Sequence, residues 1–182
     1  MIRTLIQDVL LAMLLGVVAV VMFILPSVNP AAEAEPAKQP GNLVASIAWP
    51  AGSIDVDLWV LAPGDDPVSY KMKSGRVFSL LRDDLGTAND STPINMEAAY
   101  TRGLPDGEYA VNVKCYGCAG HVPVPVAVEV RLAEGGLIWR GTVSLVRDKQ
   151  ERTALRWRMA DGKVVPGSQN SVFKQMNRGE AK

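Results

Sequence analysis

The sequence predicts an all-β domain, an antiparallel β-sandwich, preceded by one transmembrane α-helix. An uninterrupted apolar run from Leu5 to Leu25 predicts the helix. Short segments with alternating or β-branched residues after residue 42 predict the strands. The 12 prolines and 16 glycines are spread through the chain, as the many turns of such a sandwich require.

The apolar run contains only two strongly polar residues, Gln7 and Asp8. A helix of this length extends roughly 30 Å, which is the thickness of the hydrocarbon core of a bilayer. Pro26 is expected to end it. Arg3 precedes the run, and two acids come before the first lysine after it, so the positive-inside rule places the N-terminus in the cytoplasm.

A cleaved signal peptide is the alternative interpretation of residues 1–26. Ala32-Glu33-Ala34 has the small-x-small form of a cleavage site. However, the apolar run after Asp8 is longer than the roughly 7–15 residues of a signal peptide. The sequence therefore favours an uncleaved anchor.

Asp8 shares one face of the predicted helix with small residues. At 100° per residue, Ala12, Gly16 and Ala19 lie within about 80° of Asp8, and they are the only Ala or Gly residues of the run. Small residues let helices approach closely in lipid, and an acid at membrane depth is a functional-site hypothesis. The face is predicted to pack against a second copy of the helix or another membrane protein. Alternatively, Asp8 lies near the membrane boundary and contacts only water.

The stretch Leu5-Ile6-Gln7-Asp8-Val9-Leu10-Leu11 resembles the TolR/ExbD/MotB class of proton-channel subunits. Those proteins carry an essential Asp early in their only span, in a pattern like LIDVVLLLL. The resemblance implies that Asp8 binds a proton and that the partner is a multi-span TolQ/ExbB/MotA-like protein. It also implies a bacterial inner-membrane location with a periplasmic C-terminal domain. The predicted outer domain does not resemble the usual outer modules of that class.

Residues 27–41 are rich in Pro, Ala and Glu and are predicted to form a flexible linker. Residues 42–166 are predicted to form the sandwich, either Ig-like or jelly-roll. The tail, residues 167–182, is polar and is expected to fray. Nine segments are predicted as strands: LVASIAW, VDLWVLA, VSYKMK, VFSLLR, INMEAAYTR, EYAVNVKCY, VPVAVEVRL, LIWRGTVSLV and RTALRWRMA.

The predicted outer domain has its own resemblance. DVDLWVLAP, RDDLG and GEYAVNV resemble an uncharacterised bacterial and phage β-sandwich group whose members open with a DVDLxV pattern. This resemblance covers roughly residues 47–130. It implies the fold and no activity.

Acidic side chains concentrate in two stretches of the outer domain, SIDVDLWV and LLRDDLGTANDSTPINME. Ca²⁺ takes six to eight oxygen ligands, which loops at one end of a sandwich can supply. Turn stabilisation is the alternative, since Asp and Asn bond their own backbone. The candidate calcium ligands are Asp55, Asp57, Asp83, Asp84 and Asp90.

Cys115 and Cys118 form a CxxC with His121 close behind it. These three ligands are one short of a closed zinc site, and the pattern ends a predicted strand rather than opening a helix. Outside the cytoplasm a disulfide would be favoured, and it would clamp the loop between two strands. Unpaired thiols, or metal or redox chemistry, are the alternatives.

Several functions are made unlikely by the composition. The 19 basic residues balance 19 acidic ones without a basic run, so nucleic acid is not an expected partner. With a single histidine and no phosphate loop, dinucleotide fingerprint or zincin motif, the chain is not expected to be an enzyme. No cofactor is assigned apart from the candidate Ca²⁺.

The leading functional prediction is an accessory subunit of a proton channel with a tethered periplasmic sandwich. The alternative is a membrane-anchored binding module without a proton role. Its ligand would be carbohydrate, envelope material or protein, with or without calcium.

Overall fold

The structure is a computed structural model that describes residues 1–28, 41–86, 94–134 and 136–177. The chain divides into an N-terminal helical unit and a second unit built from strands. Within the described ranges the elements are α1 (Ile2–Val28), β1 (Leu43–Trp49), β2 (Asp55–Leu61), β3 (Phe78–Arg82), β4 (Asn95–Thr101), β5 (Gly107–Gly117), β6 (Val124–Leu132), β7 (Leu137–Leu145), β8 (Glu151–Ala160) and β9 (Lys163–Val164). Most of the predicted linker 27–41 lies outside the described residues.

Helix α1 is continuous, and its segment Ile2–Leu25 is long and apolar enough to cross a membrane by length and composition. Every side chain from Met1 to Leu25 is exposed, as is required of a helix whose apolar surface meets lipid. The helix extends two residues beyond Pro26, where the sequence predicted its end. A proline removes one intrahelical hydrogen bond, which a helix can lose close to its terminus.

The strands form two antiparallel sheets, which confirms the predicted all-β sandwich after a helix. The first sheet has the order β3-β4-β1-β6-β7, and the second has the order β2-β5-β8-β9. Alternating burial along β1 and β6 shows that one face of the first sheet points to the core. On the second sheet β5 is buried on both faces over most of its length, because a further segment covers its outer face.

The core between the sheets is built around an aromatic cluster. The Trp157 ring stacks on Tyr109, with ring centroids 5.2 Å apart, and Phe78 meets Tyr109 edge-on at 6.2 Å. All three side chains are fully buried. The Tyr109 hydroxyl donates to the carbonyl of Pro105 at 2.8 Å, so the turn before β5 is fastened to the core.

The prediction that VSYKMK forms a strand is wrong. Ser69 and Met72 bond each other's backbone in both directions at 3.1 Å, which makes a tight turn at the middle of the segment. The ninth strand is instead β9, which the sequence did not predict. It pairs with β8 through Asp161 and Gly162, whose φ angles of 50° and 70° suit the two-residue hairpin turn that an Asp-Gly pair favours.

The polar tail was expected to fray, and this expectation is wrong for its described part, residues 167–177. Asn170 exchanges two backbone hydrogen bonds with Arg156 of β8, and the Lys174 amide donates to Thr153 at 2.9 Å. Met176 is 2% exposed and packs in a small cluster with Trp59 and Ala110. The tail therefore covers the outer face of the second sheet, and its polar side chains make the contacts that apolar periodicity would not reveal.

Candidate functional site

The turn between β7 and β8, residues 146–150, places two cations beside the end of β5. Lys149 has a φ angle of 59°, a left-handed conformation that is uncommon for a residue with a side chain. Its ammonium donates to the carbonyl of Tyr116 and lies over the Tyr116 ring, 4.4 Å from the centroid. The Gln150 side-chain oxygen accepts the amides of Val146 and Arg147, at 2.7 and 3.3 Å, and so closes the turn.

The same turn contacts the CxxC segment. The Cys115 and Cys118 sulfur atoms lie at disulfide distance, 1.92 Å apart, and both residues are fully buried. Asp148 accepts the Cys118 amide at 2.9 Å, and its Oδ1 lies 3.4 Å from the Cys115 sulfur. The pair predicted as a disulfide thus lies at the end of β5, and Asp148 connects it to the β7–β8 turn.

Among the described residues, the one group of three whose ligand atoms could hold a metal ion is Cys115, Cys118 and Asp148. Sulfur atoms joined in a disulfide are not thiolate ligands. His121 is exposed, its amide donates to the Cys118 carbonyl at 3.0 Å, and it is not a member of this group. The disulfide form of the segment is therefore structural.

A cleft of about 520 Å³ opens beside this turn. One wall comes from the turn, one from β5 and β8, and one from the tail. Three of its side chains are cationic and one is acidic. The lining residues are Lys114, Arg147, Lys149, Gln150, Glu151, Phe173, Gln175 and Asn177.

The tail is held over the second sheet by side chains that point outward from β5 and β8. The Asn112 amide donates to Glu151 at 2.5 Å and to the Lys174 carbonyl at 2.7 Å. Glu151 also accepts the Met176 amide at 2.9 Å. At the other end of the tail contact, Lys174 lies 2.6 Å from Glu108. Hydrogen bonding from Lys174, with help from Arg156, lowers the pKa of Glu108.

A second cleft, of about 320 Å³, lies on the other side of this tail segment. It is lined by the loop after β2 together with Glu108, Lys174 and Gln175, and Gln175 also lines the larger cleft. The tail thus separates the two. The smaller cleft carries Asp65 and Asp66, whereas the larger one is predominantly cationic.

The predicted calcium ligands lie near the start of β2 and the end of β3. Asp83 pairs with Lys73 at 2.8 Å, and Asp84 pairs with Arg82 at the same distance. The Asp84 carboxylate also accepts the amides of Gly86 and Met96, at 3.0 and 3.1 Å. Both Asp84 oxygens are thus engaged by the protein's own donors, which is the turn-stabilising role. Among the described residues, Oδ1 of Asp83 is buried without a hydrogen-bond partner.

The remaining acids of this cluster are Asp57 and Glu97, which are buried, and Asp55, which is half-buried. Asp57 lies opposite Lys114 in the β2–β5 ladder, and both are buried. Burial, and then repulsion from Asp83, raises the pKa of Asp55. Burial raises the pKa of Glu97 to about 9, although its carboxyl accepts two backbone amides.

Calcium binding by this cluster stays a prediction. Within the described ranges the acidic residues do not form a group of three whose oxygens all lie within 4.8 Å of one another. Asp90 belongs to residues 87–93, which are outside the described part of the chain.

The residues of the predicted membrane face, Asp8, Ala12, Gly16 and Ala19, all lie on α1. A Cβ atom added to Gly16 would meet no atom within 4 Å. Glycine costs a helix about 1 kcal/mol relative to alanine, so the helix taken alone has no steric need for glycine here.

No protein-family model matches the chain, and neither curated proteins nor solved structures give a match. The two resemblances drawn from sequence motifs therefore remain expectations. The function has to be argued from the geometry of the helix and the clefts.

Replacing both Cys115 and Cys118 with alanine is expected to lower the free energy of unfolding by about 2 kcal/mol, because the disulfide closes only a very short loop. Urea unfolding of the full chain in detergent, with and without a dithiol reductant, measures this. Reductant should destabilise the unsubstituted protein and leave the double variant unchanged. Equal stability of the two proteins without reductant would contradict a stabilising disulfide.

Proposed function

We propose that this protein is a membrane-anchored binding module whose β-sandwich takes up a ligand in the larger cleft. The anchoring half of the proposal is supported by the segment Ile2–Leu25 of α1, which is long and apolar enough to span a bilayer and whose side chains are all exposed. The proposal also places the N-terminus in the cytoplasm and the sandwich in the periplasm of a bacterial cell.

The observation that carries the binding role is the construction of the larger cleft. A cleft of about 520 Å³ falls within the range of small-molecule sites, roughly 300–1,000 Å³. Its walls come from separate parts of the chain, and polar side chains converge on it.

The anchoring is tested by washing membranes from expressing cells with alkaline carbonate. A protein that retains Met1 and stays in the membrane pellet is expected. Release of a shorter chain into the wash would contradict the anchor and favour a cleaved signal peptide.

The binding is tested with the detergent-solubilised full chain on immobilised glycans, lipids and envelope proteins. Arg147→Trp places a large side chain at the cleft from an exposed position, and it should abolish retention. Arg140→Trp makes the same change on the first sheet and should retain binding. If the unsubstituted protein is retained on none of these ligands, the binding module is contradicted. Equal retention of both variants would place the ligand outside the larger cleft.

A second candidate function, an accessory subunit of a proton channel, is favoured by one feature of α1. The acid and the three small residues occupy one face of an unbroken helix. Contacts within the helix itself do not explain why position 16 is a glycine, because a Cβ atom there would meet nothing within 4 Å. A close-packed partner helix would supply that reason. In this role Asp8 would bind and release a proton against a TolQ/ExbB/MotA-like protein.

For this second function, Asp8→Asn is expected to abolish proton flux while leaving expression and membrane insertion unchanged, since asparagine cannot carry the proton. The measurement is dye-reported acidification of liposomes reconstituted with the protein and the membrane proteins that co-purify with it. Gln7→Asn, at the neighbouring position, is the matched control and should conduct normally. Equal flux in both variants would leave the helix as an anchor only.

A further inference from the structure

We infer that the larger cleft selects a small polar ligand that carries a carboxylate or phosphate group, with Arg147 and Lys149 as the residues that bind this group. The inference rests on the proposed binding function and names the chemical class of its ligand.

The charge of the cleft is the first support. Three cationic side chains line it against the single carboxylate of Glu151. Glu151 already accepts hydrogen bonds from Asn112 and from the Met176 amide, so it serves to hold the tail. Lys114 is buried opposite Asp57 in the ladder, whereas Arg147 and Lys149 are exposed. Arg147 and Lys149 therefore supply the positive charge that faces the open part of the cleft.

Lys149 is held in position by two neutral groups, and it also interacts electrostatically with the carboxylate of Asp55. Its ammonium donates to the Tyr116 carbonyl and lies over the Tyr116 ring, and neither contact neutralises its charge. The backbone is in the left-handed region at φ 59°, a conformation that costs free energy for a lysine. The Tyr116 contacts thus fix a cation at the rim of the cleft.

Arg147 is exposed, and its guanidinium makes no hydrogen bond or ion pair with the part of the chain that the structure describes. The neighbouring acid, Asp148, faces the other way, where it accepts the Cys118 amide. A guanidinium with all its donors available can bind a carboxylate or phosphate through two parallel hydrogen bonds.

The remaining lining suits the polar body of such a ligand. The Gln150 side-chain oxygen is engaged by two backbone amides, so its amide group is left to donate. Gln175 and Asn177 also line the cleft, where the Gln175 amide donates to the Asn177 carbonyl at 3.2 Å. Phe173, which is more than half exposed, offers an apolar ring face. Amides, cations and one ring form the chemistry that recognises an acidic monosaccharide-sized molecule.

The test is calorimetric titration of the full chain in lipid-free detergent micelles with glucuronate, glucose 6-phosphate and glucose. The first two carry an oxyanion that glucose lacks. Phosphatidylglycerol dispersed in the same micelles provides the arm for a lipid headgroup. Binding of at least one of the soluble anions, without binding of glucose, is expected.

The variants Arg147→Gln and Lys149→Gln are each expected to weaken anion binding about tenfold or more, because each removes a charged donor. Arg140→Gln, which removes a charge from the first sheet, should leave binding unchanged. All variants are first shown to unfold at the same urea concentration as the unsubstituted protein.

Three outcomes would overturn the inference. Equal binding of glucose and glucuronate, unaffected by Arg147→Gln, would make the ligand neutral while leaving the binding function intact. Binding of phosphatidylglycerol alone would move the ligand to the membrane surface. If none of these probes binds, the ligand is not an anion of this class. The wider screen of glycans, lipids and proteins would then decide the binding function separately.

Discussion

Replacing Glu97 with alanine is expected to lower the free energy of unfolding by about 2–6 kcal/mol at about pH 5. The Glu97 carboxyl accepts the amide of Leu58 at 2.7 Å and that of Asp84 at 3.3 Å, and the residue is 1% exposed. Alanine would leave both donors buried without an acceptor, at about 1–3 kcal/mol each. Glu97 of β4 thereby joins the first sheet to β2, the edge strand of the second sheet.

The effect should depend on pH, with a sign set by the pKa. Burial raises the pKa of Glu97 from 4.5 to about 9, so folding takes up a proton between these values. The contribution of the Glu97 carboxyl to stability is then fully present below pH 4.5 and falls as the pH rises toward 9. Relative to Glu97→Gln, which does not titrate, it should fall by up to about 1.4 kcal/mol per pH unit.

Urea unfolding of the full chain in detergent at about pH 5, 7 and 9 tests both statements. The protein has 4 tryptophans, all in the sandwich, so their fluorescence follows the sandwich rather than the helix. Glu134→Gln, at an exposed position, is the control and should stay within about 0.5 kcal/mol at each pH. If the difference in the free energy of unfolding between the unsubstituted protein and Glu97→Gln stays constant with pH, the raised pKa of Glu97 is contradicted.

Trp157→Ala should lower the free energy of unfolding by about 3–5 kcal/mol, the range for removing a large aromatic side chain from a core. The Trp157 side chain is fully buried and stacks on Tyr109, which in turn meets Phe78. The cavity would open between the two sheets, where the surrounding strands cannot collapse to fill it.

Trp139→Ala is the matched control, because Trp139 lies on the edge strand β7 and is only partly buried. Trp139→Ala should lower the free energy of unfolding clearly less than Trp157→Ala does. Circular dichroism follows the unfolding of both variants, since each change removes a fluorophore. Equal losses would show that the aromatic cluster does not dominate the core.

Most of the architecture follows from local patterns. Alternation in segments such as LVASIAW and VPVAVEVRL reflects one buried face, and that requirement acts on each strand separately. VSYKMK shows the same alternation, yet hydrogen bonds between Ser69 and Met72 turn it back on itself. Local sequence does not distinguish these two outcomes, because the choice depends on which neighbours the segment meets.

The larger cleft could not be predicted, for a related reason. Lys114, Arg147 and Phe173 belong to a strand, a turn and the tail, and only the fold brings them to one place. The run Arg147-Asp148-Lys149 was the one local signal, and a charged turn is common without a function. The acidic residues drew attention because they are close in sequence, but the structure uses Asp83 and Asp84 in ion pairs.

The way in which the tail is attached has a consequence for the kinetics of ligand exchange. Between Lys174 and Met176 the tail is fastened by side chains rather than by a strand ladder, so it can detach while both sheets stay intact. Amide hydrogens of Lys174 and Met176 should therefore exchange with solvent well before those of β5. A bound ligand that contacts the tail would slow that exchange, and detachment of the tail would in turn speed release of the ligand.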